Sequence, residues 1–344
     1  MTNREVHVLR WLLAVGLLHA AAGISTQALS HTRLPANAAA PGGVPVPRPA
    51  KSRNQPLAHA RTELIKFATA PFPYNGKVPG QDTFFLDIDE TGRRGHRSPQ
   101  GHVYWEDETF NDPRVLLHIP KGFDVRRPSL LIIFFHGHRA MIDRDVRDRQ
   151  RVPAQISASG LNAVLVAPQF AVNAPDSSAG RFWEPGAFGR FLGEAAQALG
   201  RMHGDPHAVR AFTGMPVIIV AYSGGYLPTA WSLVNGGVGK RLRGVVLFDA
   251  LYGELDTFAA WIKRDRSAFF VSSYTNSTQN QNTELQRILA ERNVAFSTSL
   301  QGALRQGSVT FLATADAKHR DFVTHAWVES PIEDLLRRLN GYRR

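Results

Sequence analysis

Strand-length apolar runs alternating with segments of helical character constrain this chain more than any other feature. LLIIFFHG, residues 130–137, is nearly continuous in its apolar character. A strand buried on both faces of a parallel sheet must read that way. A helix is expected over residues 143–159, a strand at NAVLVAPQ (162–169) and a helix over 185–202. Strand VIIVAY (217–222) leads into a helix through residue 234. Strands GVVLFDA (244–250), AFFVSSY (268–274) and SVTFLAT (308–314) follow, separated by the helical patterns ELDTFAAWI and NTELQRILAERN. SPIEDLLRRLN closes the series as a helix. Strands separated by helices imply a mostly parallel sheet with helices on both faces. Two earlier half-buried strands, FFLDI (84–88) and RVLLHIP (114–120), have no helix between them and are expected to form an antiparallel edge. A barrel of eight strand–helix units is disfavoured, because its alternation starts at the first strand.

The segments before this region have a different character. Arg4 and Arg10 precede the apolar stretch WLLAVGLLHAAAGI, and small residues follow. A basic start, a short apolar core and a small-residue exit describe a secretory signal peptide over residues 1–30, with cleavage expected after Ala28-Leu29-Ser30. The run is interrupted by His19 and is shorter than the roughly 20 residues of a spanning helix, so an uncleaved membrane anchor is the alternative. Residues 31–60, rich in Pro and Ala, read as an extended linker, which leaves 61–344 as the folded domain. The chain has no cysteine, which excludes disulfides, thiolate metal sites and a thiol nucleophile.

The 344 residues carry 40 Lys and Arg against 29 Asp and Glu, a formal charge of +11. That excess is consistent with weak association with an anionic envelope surface. The basic residues are scattered and no nucleic-acid-binding signature accompanies them, so no nucleic-acid partner is expected. The densest group, His138 to Arg151, interleaves Asp143, Asp145 and Asp148 with Arg147, Arg144 and Arg149 at i,i+4 spacing. That pattern predicts a solvated helix face.

The corner after VIIVAY carries the chemistry. Its A-Y-S-G-G places Ser223 between a buried strand and a helix, with Ala221 two before it and Gly225 two after. A strained strand-to-helix turn needs small residues at both positions to present a nucleophile, and Ala replaces the commoner first Gly. The alternative is a serine that merely caps the helix. A serine hydroxyl needs a base. Only His319 and His325 lie downstream, both in ATADAKHRDFVTHAW after the last strand. His319 is preferred because it is nearer the strand end, and His325 is the reserve. The acid usually follows the strand after next from such a corner, yet SSYTNSTQNQN there contains no carboxylate. Asp249 ends the strand immediately after the corner's helix and is therefore assigned as the acid that orients the histidine. Glu254, Asp256 and Asp321 are held in reserve, and the alternative for Asp249 is a helix N-cap. Oxyanion donors are expected from the N–H of Gly224 and from His138 or Arg139 in the loop FFHGHRAM. His136 and His138 as zinc ligands lack a third partner, so no metal or other cofactor is expected.

In its strand order, the AYSGG corner, the HG loop and the terminal histidine, the chain resembles the α/β-hydrolase superfamily, in its exported esterase and lipase region. The resemblance spans residues 84–340. It implies an α/β-hydrolase fold with a mostly parallel eight-stranded sheet. It also implies hydrolysis of a small-molecule or lipid-like ester, or of an amide, through an acyl-enzyme. A non-catalytic envelope binding protein on the same scaffold is the competing class. Only residues 251–267 separate the sixth and seventh strands, too few for a large cap domain. Tyr222 and Tyr226 beside the corner, with Phe182, Trp183 and Phe188 after the fourth strand, are candidate pocket residues. Packing of the helix on the sheet is the other role open to these aromatics.

Overall fold

The apolar runs pair into one eight-stranded sheet. The computed structural model describes residues 56–344 except positions 206 and 315. Its sheet strands are β1 (Arg61–Lys66), β2 (Arg114–Ile119), β3 (Leu130–Phe135), β4 (Ala163–Pro168), β5 (Val217–Tyr222), β6 (Leu242–Phe248), β7 (Phe269–Tyr274) and β8 (Val309–Ala313). They lie in the order β1-β2-β4-β3-β5-β6-β7-β8. β2 is antiparallel to both of its neighbours, and every pairing from β4 to β8 is parallel. This is an α/β-hydrolase fold.

Period-two alternation splits each apolar run between two cores. Leu131, Ile133 and Phe135 of β3 face one core, while Leu130, Ile132 and Phe134 face the other. The first core is covered by helices α2 (Ala187–His203), α4 (Tyr226–Asn235), α5 (Leu255–Arg264) and α6 (Gln279–Glu291), and the second by α1 (Val152–Ala158) and α7 (Pro331–Arg337). A short helix α3 (Ala208–Gly214), which sequence patterning does not announce, packs against α2. No described helix is long and apolar enough to cross a membrane.

Several expectations need correction. The edge strand beside β2 is RTELIK, not FFLDI. FFLDI contributes only Ile88 to a separate three-stranded sheet, Ile88–Glu90, Arg93–Arg97 and Val103–Trp105. Its Phe85 is fully buried for another reason, packing edge-on to Phe110 at 4.9 Å and to Trp183 at 5.4 Å. The stretch expected as linker ends earlier than residue 60. Leu57 is buried and its N–H donates to the Phe123 carbonyl at 2.9 Å. Residues 1–55, which hold the expected signal peptide and most of the linker, lie outside the described residues.

The single helix expected over 143–159 is two pieces. Ile142–Arg149 is a π-helical segment, and α1 begins only after Arg151, whose φ of 53° breaks the run. In the wider π turn the Gln150 N–H reaches the Asp145 carbonyl, five residues back, at 2.7 Å. Of the three i,i+4 pairs only Asp145–Arg149 forms, at 2.9 Å. Asp143 instead pairs with Arg114 at 3.2 Å, and Arg147 with its neighbour Asp148 at 2.8 Å. Asp145 is buried, so this face is not simply solvated.

Two buried imidazoles set a pH dependence. His118 on β2 touches the hydroxyls of Thr62 and Ser157, both at 2.8 Å, and burial together with the Arg344 charge pushes its pKa down to about 4. His136, just past β3, is likewise pushed down to about 4 by burial. An unfolded imidazole titrates near pH 6.5. Between those values the unfolded chain binds more protons, so lowering the pH favours unfolding. Each ring contributes on the order of 3 kcal/mol of stability above pH 6.5 that is lost as pH falls through 4. The urea midpoint should therefore drop markedly from pH 7 to about pH 4.5, and an unchanged midpoint would mean the rings are not neutral in the fold.

Candidate active site

The site begins where β5 ends. Tyr222 is still extended, at φ −117° and ψ 133°, but Ser223 turns to φ 53°, and Gly225 at φ −64° leads into α4. A left-handed serine is strained. The turn folds back on the end of β3 and on the following loop, leaving no room for side chains. A Cβ on Gly225 would lie 2.6 Å from the Phe135 carbonyl oxygen. One on Gly224 would lie 2.5 Å from the His138 ring, and one on Gly137 would lie 2.6 Å from the Ser223 Cβ. Ala221, fully buried, stands where the commoner pattern has its first glycine.

His319 reaches this corner from the far end of the chain. It opens a short 3-10 turn, His319–Asp321, after β8. Its Nε2 lies 2.9 Å from Ser223 Oγ, and its Nδ1 lies 2.6 Å from Asp249 Oδ2. The Tyr222 ring stacks on the imidazole at 5.1 Å, and the Tyr222 hydroxyl donates to the His319 carbonyl at 2.8 Å. Thus the residue before the serine holds the histidine.

Asp249 follows β6 directly and is fully buried, at φ 42°. Four further donors surround it, all from the turn after β7. The Thr275 N–H (3.0 Å) and the Thr278 hydroxyl (2.7 Å) donate to Oδ1. The Thr275 and Ser277 hydroxyls, both at 2.7 Å, donate to Oδ2. Burial acts to raise its pKa. The bonds from His319, Thr275, Thr278 and Ser277 outweigh that and hold it well below the usual carboxylate range. Asp249 does not cap α5, which starts after Glu254.

The reserve residues lie apart from this chain of bonds. His325 is exposed and faces Glu329 at 3.4 Å. Glu254 accepts from the Thr257 hydroxyl at 3.1 Å, and Asp256 pairs with Arg292 at 2.6 Å. Asp321 shares the His319 turn, where its carbonyl accepts from the Thr324 hydroxyl at 2.9 Å.

The loop after β3 is pinned by His136. Its Nδ1–H donates to the Gly137 carbonyl at 2.8 Å, and its Nε2 accepts the N–H of Phe170 at 2.8 Å. Both ring nitrogens are therefore engaged, which removes the zinc reading of His136. No cluster of three or more metal-ligating side chains occurs among the described residues. Of the two expected oxyanion donors in this loop, Arg139 is corrected, because its N–H already donates to the Ala174 carbonyl at 2.8 Å. The His138 ring lies over Gly224 and meets the Ser177 hydroxyl at 2.6 Å.

A cavity of about 850 Å³ opens beside Ser223, with Tyr222 and Tyr226 in its wall. Phe182 and Trp183 do not line it. Phe182 packs within 5.2–6.0 Å of Phe135, Phe170, Phe188 and Phe191, and Trp183 packs edge-on to Tyr74 at 5.5 Å. The loop after β4 turns its aromatics inward, so Phe182 and Phe188 pack α2 against β3, and Trp183 packs against Tyr74 and Phe85. Sequence reading missed Tyr252 and Ser177 in the wall, and the hydroxyl cradle of Asp249. The run SSYTNST was the available signal for that cradle.

No protein-family model matches the chain, and no curated protein matches it. Among solved structures it is similar to a feruloyl esterase module from Clostridium thermocellum complexed with sinapinate. That comparison has a TM-score of 0.45 and 15% identity, and covers 79% of this chain and 98% of the other. A ferulic acid esterase gives a TM-score of 0.43, with 10% identity and 76% and 92% covered. An S-formylglutathione hydrolase from Agrobacterium tumefaciens gives 0.40, with 11% identity and 69% and 92% covered.

The crowding at the corner is open to a direct test. Gly225→Ala forces the new methyl against the Phe135 carbonyl and should cost about 1–3 kcal/mol. Thermal unfolding should show a midpoint several degrees lower, and a wild-type midpoint would mean the corner has slack.

Proposed function

We propose that the chain is a serine hydrolase that cleaves carboxylic esters of small molecules through an acyl-enzyme intermediate. The observation that carries this reading is the unbroken chain of hydrogen bonds from Ser223 through His319 to Asp249. Ser223 Oγ attacks the ester carbonyl as His319 Nε2 takes its proton. The resulting imidazolium is stabilised by Asp249, whose charge the hydroxyl cradle keeps in place. The tetrahedral oxyanion is held by the N–H groups of Gly224 and His138, the latter having no other partner among the described residues. His319 then returns its proton to the leaving alkoxide. Water, deprotonated by the same imidazole, repeats the addition on the acyl-enzyme and frees the acid. We further propose that residues 1–30 direct export and are removed.

The test is covalent labelling by a fluorophosphonate together with turnover of aryl esters. Wild type should label at Ser223, and Ser223→Ala should lose both label and turnover. Asp249→Asn keeps the shape of the acid but disfavours the required imidazole tautomer, and should lower kcat about 10⁴-fold. A protein that used this scaffold only for binding would leave Ser223 unlabelled. Full activity in Asp249→Asn would remove the acid from its role.

A further inference from the structure

The cavity beside Ser223 is walled by charge mostly of one sign. Four arginines line it, Arg139, Arg144, Arg149 and Arg320, against one acidic residue, Asp145. That carboxylate is already engaged. Its Oδ2 accepts from Arg144 at 2.7 Å and from the Met141 N–H at 2.8 Å, and its Oδ1 accepts from Arg149 at 2.9 Å. Arg139 and Arg320 are different, because neither side chain makes a hydrogen bond or ion pair among the described residues. Arg139 follows His138 and is held at φ 57°, a strained conformation for arginine. Arg320 follows His319, and its carbonyl accepts from Arg149 Nη1 at 3.2 Å, which ties its turn to the π-helical segment. An arginine whose side chain has no partner among the described residues therefore directly follows each of the two histidines beside the serine.

A second feature of the same wall points to a ligand independently. Gln150 is 1% exposed and lines this cavity, yet neither its side-chain oxygen nor its nitrogen has a hydrogen-bond partner. Buried amides are normally satisfied, and one without a partner just behind a cavity wall can turn toward a polar group brought by a substrate. A guanidinium fork matches a carboxylate with two parallel bonds, and a half-enclosed wall strengthens that attraction over its value in water.

We propose that this cavity selects esters bearing an anionic group, of the carboxylate class, which Arg320 and Arg139 bind while the Gln150 amide donates to the same group. The proposal rests on the serine-hydrolase reading and specifies its substrate class. Two matched substrate pairs test it. Mono-p-nitrophenyl adipate against p-nitrophenyl hexanoate puts the charge on the acyl side, and 4-carboxyphenyl acetate against 4-carbamoylphenyl acetate puts it on the alcohol side. In at least one pair the anionic ester should have a kcat/KM about tenfold or more above its neutral partner, mainly through KM. The pair that responds tells which side of the ester carries the group. That preference should shrink about tenfold in Arg320→Gln, severalfold in Gln150→Leu, and with added salt of about 0.5 M. Equal or better turnover of the neutral member in both pairs would overturn the proposal while leaving the hydrolase reading intact. A preference unchanged in Arg320→Gln, Arg139→Gln and Gln150→Leu would overturn it too. Failure to cleave all four esters, with Ser223 unlabelled by a fluorophosphonate, would remove both readings.

Discussion

The arrangement depends on keeping a charge in a place without water. Asp249 has no exposed surface, and burying an ionised carboxylate costs several kcal/mol unless its lone pairs are filled. Here the hydroxyls of Thr275, Ser277 and Thr278 and one backbone N–H fill them, all within four consecutive residues of the turn after β7. Only then can the imidazole of His319 find a fixed negative partner. Three strands contribute to the hydrogen-bonded chain: Asp249 follows β6, its donors follow β7, and His319 lies in the turn after β8. A parallel sheet places those ends side by side, which is why this chemistry lies at the sheet's carboxyl edge.

That cradle also explains what looked irregular in the sequence. The turn after β7, SSYTNSTQN, lacks the carboxylate expected there, and its small hydroxyl residues invite reading as an ordinary loop. With the acid moved to β6, the loop at the usual acid position donates to the carboxylate. The elbow shows a similar exchange. Ala221 stands for a glycine at the strand end, while the crowded positions, Gly224 and Gly225, lie after the serine.

The central strands were legible because burial on both faces leaves only apolar residues, and no other element of that length reads so. Ser223, Asp249 and His319 could be grouped from the sequence because each follows a strand whose position those runs define. The failures have equally definite causes. β1 carries Arg61, Glu63 and Lys66, since an edge strand bonds on one side only and tolerates charge there. FFLDI mimics a strand because Phe85 is buried, but its burial serves an aromatic cluster and not a ladder. The spacing of Asp and Arg over 143–149 fits an α-helix as well as a π-helix, and it does not encode the contacts this segment makes with β2 and with the residue after β4. Arg114 takes Asp143, and the Gln169 side chain accepts the Ile142 N–H at 2.7 Å.

That last departure bears on selectivity as well as on shape. In an α-helix, Arg144 and Arg149 would point about 140° apart around the axis, since each residue turns the chain by about 100°. In the wider π turn residues five apart come closer together, and both arginines grip the one buried carboxylate of Asp145. The segment then ends abruptly at left-handed Arg151, which leaves Gln150 in the cavity wall with its amide unpaired. The distorted segment places an unpaired amide and several arginines beside the serine, so in the proposed reading the irregular element serves recognition while the regular ones serve the chemistry.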